Sequence, residues 1–278
     1  DCIIRDNSTG GSGGGVFTIS ADFNFQNFAL TNNSAGRGGG MYNQISNPIL
    51  ENCTFTNNNS TEYGGGMYDW MGTTTLTGCA FTGNTAGTVD FSGAGGGMVN
   101  LGGTHTLTDC TFTGNSANDG GGIWNTAASP SINNCTFTNN HSDTGGGGMF
   151  NEYSSPTIEN CTFTSNIATA TGGGVFDFNS NSTLTNCTFM YNDSHNGGAI
   201  NANYGSAPVI TYCTFVGNTS DYGGGMIIWD TDGVTMSDCV FEGNIANFEG
   251  GGVFAASNET ISANLTLLSC SFTSNTAS

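Results

Sequence analysis

The stretch "GGGMYDWMGTTTLTGCAFTGN", Gly64 to Asn84, holds the pattern on which the whole chain is built. Three glycines precede a methionine and an aromatic residue. Threonines follow, then Cys79, with Phe81 two residues on and Asn84 three beyond that. Working outward, the pattern C-x-F-x-x-N recurs at Cys53, Cys79, Cys110, Cys135, Cys161, Cys187, Cys213, Cys239 and Cys270. Cys2 starts a variant with Ile4 in the Phe slot, and Phe28 starts another with Leu30 there, making eleven copies. All eleven keep the Asn, from Asn7 to Asn275. Between copies sits a Gly cluster followed by Met, Val or Ile, as at Met41, Ile123 and Val175. Successive cysteines from Cys53 onward stand 25 or 26 residues apart, and twice 31. A period of this size is the signature of a solenoid. One domain is expected over residues 1–278, with the extra residues forming bulged arcs at 85–94 and 257–263, where loop-borne specificity would sit.

The coil is built of strands. No apolar stripe of helical period exists, and Gly, Asn and Thr are poor helix formers. Cys and Phe, two apart, point the same way. An apolar residue also stands three before each Cys, as Leu76, Ile132 or Ile158. That odd offset cannot share a flat face with Cys, so the chain bends between them. The residue before Cys is usually Asn, Asp or Gly, as a bend requires. The expectation is an all-β parallel β-helix (β-solenoid) of about eleven coils with three short parallel sheets, a rod about 50 Å long at ~4.8 Å per rung. Phe55, Phe81, Phe112, Phe137, Phe163, Phe189, Phe215, Phe241 and Phe272 would form the interior ladder, each worth roughly 2–3 kcal/mol when buried. The Asn column would mark a corner, with left-handed backbone and side-chain bonds to the next rung.

Composition narrows function. The 278 residues carry 21 acidic side chains against two basic ones, Arg5 and Arg37, for a net charge of −19. Nucleic-acid binding by phosphate neutralisation is excluded. No apolar run approaches membrane-spanning length, so no membrane insertion of this segment is expected. His105, His141 and His195 occupy different phases of the coil and read as surface substitutions. No catalytic residues, cofactor or metal site are expected. "WDTDG", with Asp230, Asp232 and Gly233, reads as a polar turn before it reads as a calcium loop. The cysteines, one per coil, read as a column of buried free thiols, because parallel in-register side chains strain a bridge.

The pairing of F-x-x-N with G-G-[AG]-[IVM] resembles the repeats of the polymorphic outer-membrane-protein (Pmp) type. It is carried by Phe55–Asn58, Phe189–Asn192 and the GGAI copy Gly197–Ile200, and covers nearly the whole chain. The resemblance implies a right-handed β-helix, secreted to the cell surface and used as an adhesin, stalk or filament component.

Two outward columns carry the functional interest. The position after the aliphatic is often aromatic: Phe17, Tyr42, Tyr68, Trp124, Phe150, Phe176 and Phe254. Turned outward and exposed, these would form a stripe for another rod or for glycan rings. The second column is threonine, as Thr54/Thr56, Thr111/Thr113, Thr136/Thr138 and Thr162/Thr164. Their grid of ~6.7 by ~4.8 Å resembles the arrays of ice-binding β-solenoids. A carbohydrate-active enzyme is the third reading. The chain begins and ends in mid-coil, so partial length or head-to-tail stacking with other copies is expected.

Overall fold

Left-handed backbone angles recur at four corners in most of the described coils, and they set the architecture. In the coil that starts near Cys135 they are Asn134 (φ 53°), Asn139 (φ 55°), Gly146 (φ 67°) and Tyr153 (φ 48°). Between these corners run four short strands: Thr136–Thr138, His141–Gly145, Met149–Glu152 and Thr157–Glu159. The computed structural model describes residues 2–87, 93–257 and 263–278. The expected arcs at 85–94 and 257–263 lie largely outside those described residues.

Each strand pairs in parallel with its counterpart one coil on. Among the described residues four sheets result, one of eleven strands and three of ten. The eleven-stranded sheet carries the Phe slot, with the Cys of most rungs just before its strand, from Cys2–Arg5 to Ser271–Thr273. A second follows the glycines, from Val16–Ile19 to Val253–Ala256. A third holds the Leu/Ile slot, from Asn24–Gln26 to Asn264–Leu268. The fourth, from Ser34–Arg37 to Thr276–Ala277, was not expected. The three-sheet reading is therefore corrected to four. The cause is side-chain size: inward positions of the fourth sheet hold Ala35, Ser60, Ala86, Ala117, Ser142 and Ala168, too small to register as an apolar period.

The interior is a set of ladders. Phe55 through Phe241 are fully buried and stack with centroids 4.3 to 5.1 Å apart. Phe272, in the last rung, has a ring on one side only and is 44% exposed. Beside them stand the Leu/Ile column, the Met/Val/Ile column and the thiols. All ten cysteines are free, and Cys53 to Cys239 are buried. The bend before Cys is as expected: Asn52, Gly78, Asp109, Asn134 and Asn160 all have positive φ.

The corner Asn column makes one unbroken hydrogen-bond ladder from Asn7 to Asn275. Asn140 typifies it. Its Oδ1 accepts from the backbone N–H and the Nδ2–H of Asn115, both at 3.0 Å. Its Nδ2–H donates to the Phe112 carbonyl and to Asn166 Oδ1, both at 2.9 Å. The left-handed angle falls on the preceding residue, Asn139, and not on the ladder Asn itself. That frees the ladder amide to turn inward.

Candidate interaction surfaces

The glycine cluster shapes the outer surface. Gly64 turns at φ 66°, a backbone state open to glycine at little cost. A Cβ on Gly65 would overlap the Thr85 carbonyl oxygen of the neighbouring rung. The result is a re-entrant corner, in which the outer face of the fourth sheet meets the outer face of the glycine sheet. This corner overturns the exposed aromatic stripe. The residues do point away from the main core, but most are covered. Tyr42, Tyr68, Phe150 and Phe176 are each less than one-tenth exposed. Trp124 and Phe254 are half-buried, and Phe17 is 50% exposed. Their cover comes from the fourth sheet: the Tyr63 ring lies 6.2 Å from Tyr68 and 5.8 Å from Trp124, and Tyr222 lies 5.6 Å from Phe254. A Cβ on Gly145 would come within 2.6 Å of the Phe176 ring. Burial pushes the Tyr68 hydroxyl up to about 12. Within the stripe the rings stack, Phe17 on Tyr42 at 5.2 Å and Phe150 on Phe176 at 4.8 Å. The stripe is a second, outer core.

The threonine column lies on the outer face of the eleven-stranded sheet. Thr54, Ala80, Thr111, Thr136 and Thr162 stand in register, as do Thr56, Thr82, Thr113, Thr138 and Thr164. Beyond them Thr188 and Thr214 continue the first column, while Met190 and Val216 replace threonine in the second. All eight expected threonines are at least partly exposed.

The histidines separate. His141 and His195 lie on the fourth sheet with partly exposed side chains. His195 Nδ1 stands 2.6 Å from Asp221 Oδ2. A bond from Asn247 (2.7 Å), then His195, holds the Asp221 carboxyl below its usual range. His105 corrects the surface reading, because it is buried in the interior with Nδ1 3.8 Å from Asp69 Oδ2. It stands where other coils place Pro48, Thr74, Pro130, Pro156 and Ser182, all turned inward. Arg37 pairs with Glu62 at 2.6 Å on the outer surface. Among the described residues no three His, Cys, Asp or Glu side chains cluster as metal ligands.

His105 belongs to a feature the sequence reading missed. The third residue after each Gly cluster turns inward, giving the buried column Asn43, Asp69, Asn100, Asn125, Asn151 and Asp177. The amides link rung to rung: Asn100 to Asn125 at 2.7 Å, then Asn151 and Asp177 at 2.8 Å each. Where the column holds Asp, the residue five on is a hydroxyl donor. Thr74 donates to Asp69, and Ser182 to Asp177 at 2.7 Å. Where it holds Asn43, Asn125 or Asn151, that residue is Pro48, Pro130 or Pro156. A carboxylate needs the extra donor, whereas an amide supplies its own. The pairing D-x4-[ST] against N-x4-P was visible in the sequence. Burial pushes the Asp177 carboxyl up to about 7, and raises Asp69 as well.

One further place stands out in the re-entrant corner. A cavity of about 200 Å³ opens there, lined by Thr171, Asn196, Asn201, Asn203, Ile227 and Trp229. It lies where Asn201 interrupts the aromatic stripe.

The model of the family described as "right handed beta helix region" matches residues 86–241 and 165–278. Among solved structures, the chain is similar to that of PfbA, a surface adhesin of Streptococcus pneumoniae. The identity is 11%, the match covers 80% of this chain and 72% of the other, and the TM-score is 0.29. No curated protein matches.

Proposed function

The chain belongs to the right-handed β-helix family, and on that premise we propose that it is a non-catalytic, extracellular, adhesive or structural solenoid of the Pmp-like kind. It serves as a cell-surface adhesin stalk or as a subunit of an extracellular filament. Its partners are other copies of itself or surface glycans. The observation that carries this reading is the outer face of the eleven-stranded sheet, where hydroxyl-bearing threonines repeat in register from rung to rung. A surface that repeats along a rod offers many equal weak contacts, the arrangement from which avidity is built. The interior polar groups support it too, since the corner amides bond to one another and hold the rod. The test is retention of the purified chain on glycan-coated surfaces and intact cells, with electron microscopy for rods or filaments. Retention and rods are expected. Chain lengthening or shortening of a polysaccharide by the purified protein, without retention, would replace the reading with an enzyme.

A second reading rests on the same face. Thr111, Thr136 and Thr162, with Thr113, Thr138 and Thr164 beside them, form an unbroken in-register double row, the arrangement an ice-binding face would use. Measurable thermal hysteresis, lost on Thr136→Lys, would establish it in place of adhesion.

A further inference from the structure

One rung departs from its neighbours at both outward positions. Along the glycine sheet, Phe176 is followed in register by Asn201 and then Ile227, and Phe178 by Asn203 and then Trp229. Ile200–Asn203 thus puts two amides where the flanking coils put large apolar groups. On the side before this rung the corner is filled by the stacked rings of Phe150 and Phe176. At Asn201 no ring is present, and the cavity of about 200 Å³ opens in its place.

Asn201 is 2% exposed, and its Oδ1 accepts no hydrogen bond. Its Nδ2–H reaches the Asn196 carbonyl only at 3.5 Å. A buried acceptor without a donor is costly, and in native proteins such groups call for an explanation. An aromatic residue here would continue the stack. The amide forgoes that packing and leaves its carbonyl enclosed without an O–H or N–H donor.

We propose that this cavity binds one neutral sugar ring, deepening the adhesive reading, on which it rests, by naming a ligand and a place for it. Trp229, 41% exposed, presents an apolar face to one side of a pyranose. A turn of the Asn201 side chain, whose oxygen is enclosed in the unliganded chain, lets its carbonyl accept from a sugar hydroxyl, and Asn196, Asn203 and Thr171 line the remaining walls with amide and hydroxyl groups. None of the lining residues is charged, so nothing there compensates an acidic or basic ligand. The volume is below the ~300–1,000 Å³ of drug-sized sites, which suits a single ring.

The experiment titrates the intact chain with glucose, galactose, mannose and N-acetylglucosamine, followed by saturation-transfer NMR and tryptophan fluorescence. Millimolar binding of at least one sugar is expected, as for other small ligands in shallow sites. Asn201→Phe should extend the Phe150–Phe176 stack, keep or raise the melting temperature, and weaken binding at least tenfold. Trp229→Ala should do the same to binding and abolish the fluorescence response. Failure of every sugar to bind the wild type, or undiminished binding by Asn201→Phe, overturns the proposal. Binding of p-cresol with no sugar binding also overturns it, in favour of an aromatic ligand. Adherence is read separately: sugar binding by a chain that glycan-coated surfaces do not retain overturns the adhesive function and leaves the site standing.

Discussion

Asn140→Ala is the sharpest test of what holds the coils together. The carboxamide makes four hydrogen bonds, all buried: two accepted from Asn115 and one each donated to Phe112 and Asn166. Truncation does not affect every partner equally. Asn166 Oδ1 still accepts from the Asn140 backbone N–H at 3.0 Å, and Asn115 Nδ2 keeps the Phe81 carbonyl at 3.0 Å. The Asn115 backbone N–H and the Phe112 carbonyl lose this partner outright. The N–H, left unsatisfied, costs ~1–3 kcal/mol, and the carbonyl, which keeps its place in the strand ladder, loses one bond worth ~0.5–1.5 kcal/mol, so the loss is ~1.5–4.5 kcal/mol. Asn140→Asp should cost at least as much at neutral pH, because a carboxylate cannot donate and would face two acceptors. The control is the adjoining residue. Asn139 has φ 55°, so Asn139→Gly accepts the same backbone and should stay within about 0.5 kcal/mol. Because a solenoid can open locally, urea melts by circular dichroism should be joined by hydrogen exchange at the rungs of Asn115 and Asn166. A loss under ~1 kcal/mol for Asn140→Ala, or an equal loss for Asn139→Gly, would refute the ladder as the source of coil-to-coil stability.

Three more outcomes follow from the interior. Phe163→Ala removes a ring held between Phe137 (4.6 Å) and Phe189 (4.8 Å) and should cost ~3–5 kcal/mol locally; a melt unchanged by it would contradict the stacked core. Asp177 has its carboxyl raised to about 7 from an ordinary 3.8, so its neutral form is favoured in the folded chain. The stability held below the lower value is lost as pH rises to the upper one, on the order of 4 kcal/mol in all. Asp177→Asn keeps the acceptor for Asn151 and Ser182 and should flatten that fall, whereas equal pH slopes for the two proteins would count against it. A thiol reagent should modify mainly Cys2 and Cys270 in the native chain and all ten cysteines after denaturation, burial pushing the Cys239 thiol, for example, up to about 11. Two or fewer free thiols in denatured, unreduced protein would mean a bridged column.

The parallel solenoid, its period and the inward Phe, Leu/Ile and Cys columns were legible in the residues alone. Each of these rests on bulky apolar groups repeating at fixed offsets, and the bend at Asn134 or Gly78 follows from residue types that tolerate left-handed angles. Three things depended on how sheets meet. The fourth sheet was invisible because Ala35, Ser60 and Ser142 are too small to mark an inward face, although the small space beneath that strand needs them. The stripe of Tyr42, Tyr68 and Phe176 was rightly turned away from the main core but wrongly left in solvent. An alternating pattern tells which side of a strand a residue occupies; it does not tell the angle to the next sheet, and at this glycine corner that angle folds one outer face against another. The same angle makes Asn201 significant. In the sequence it is one polar residue in an aromatic column; in the folded chain it is a missing ring, with a cavity where the ring would be.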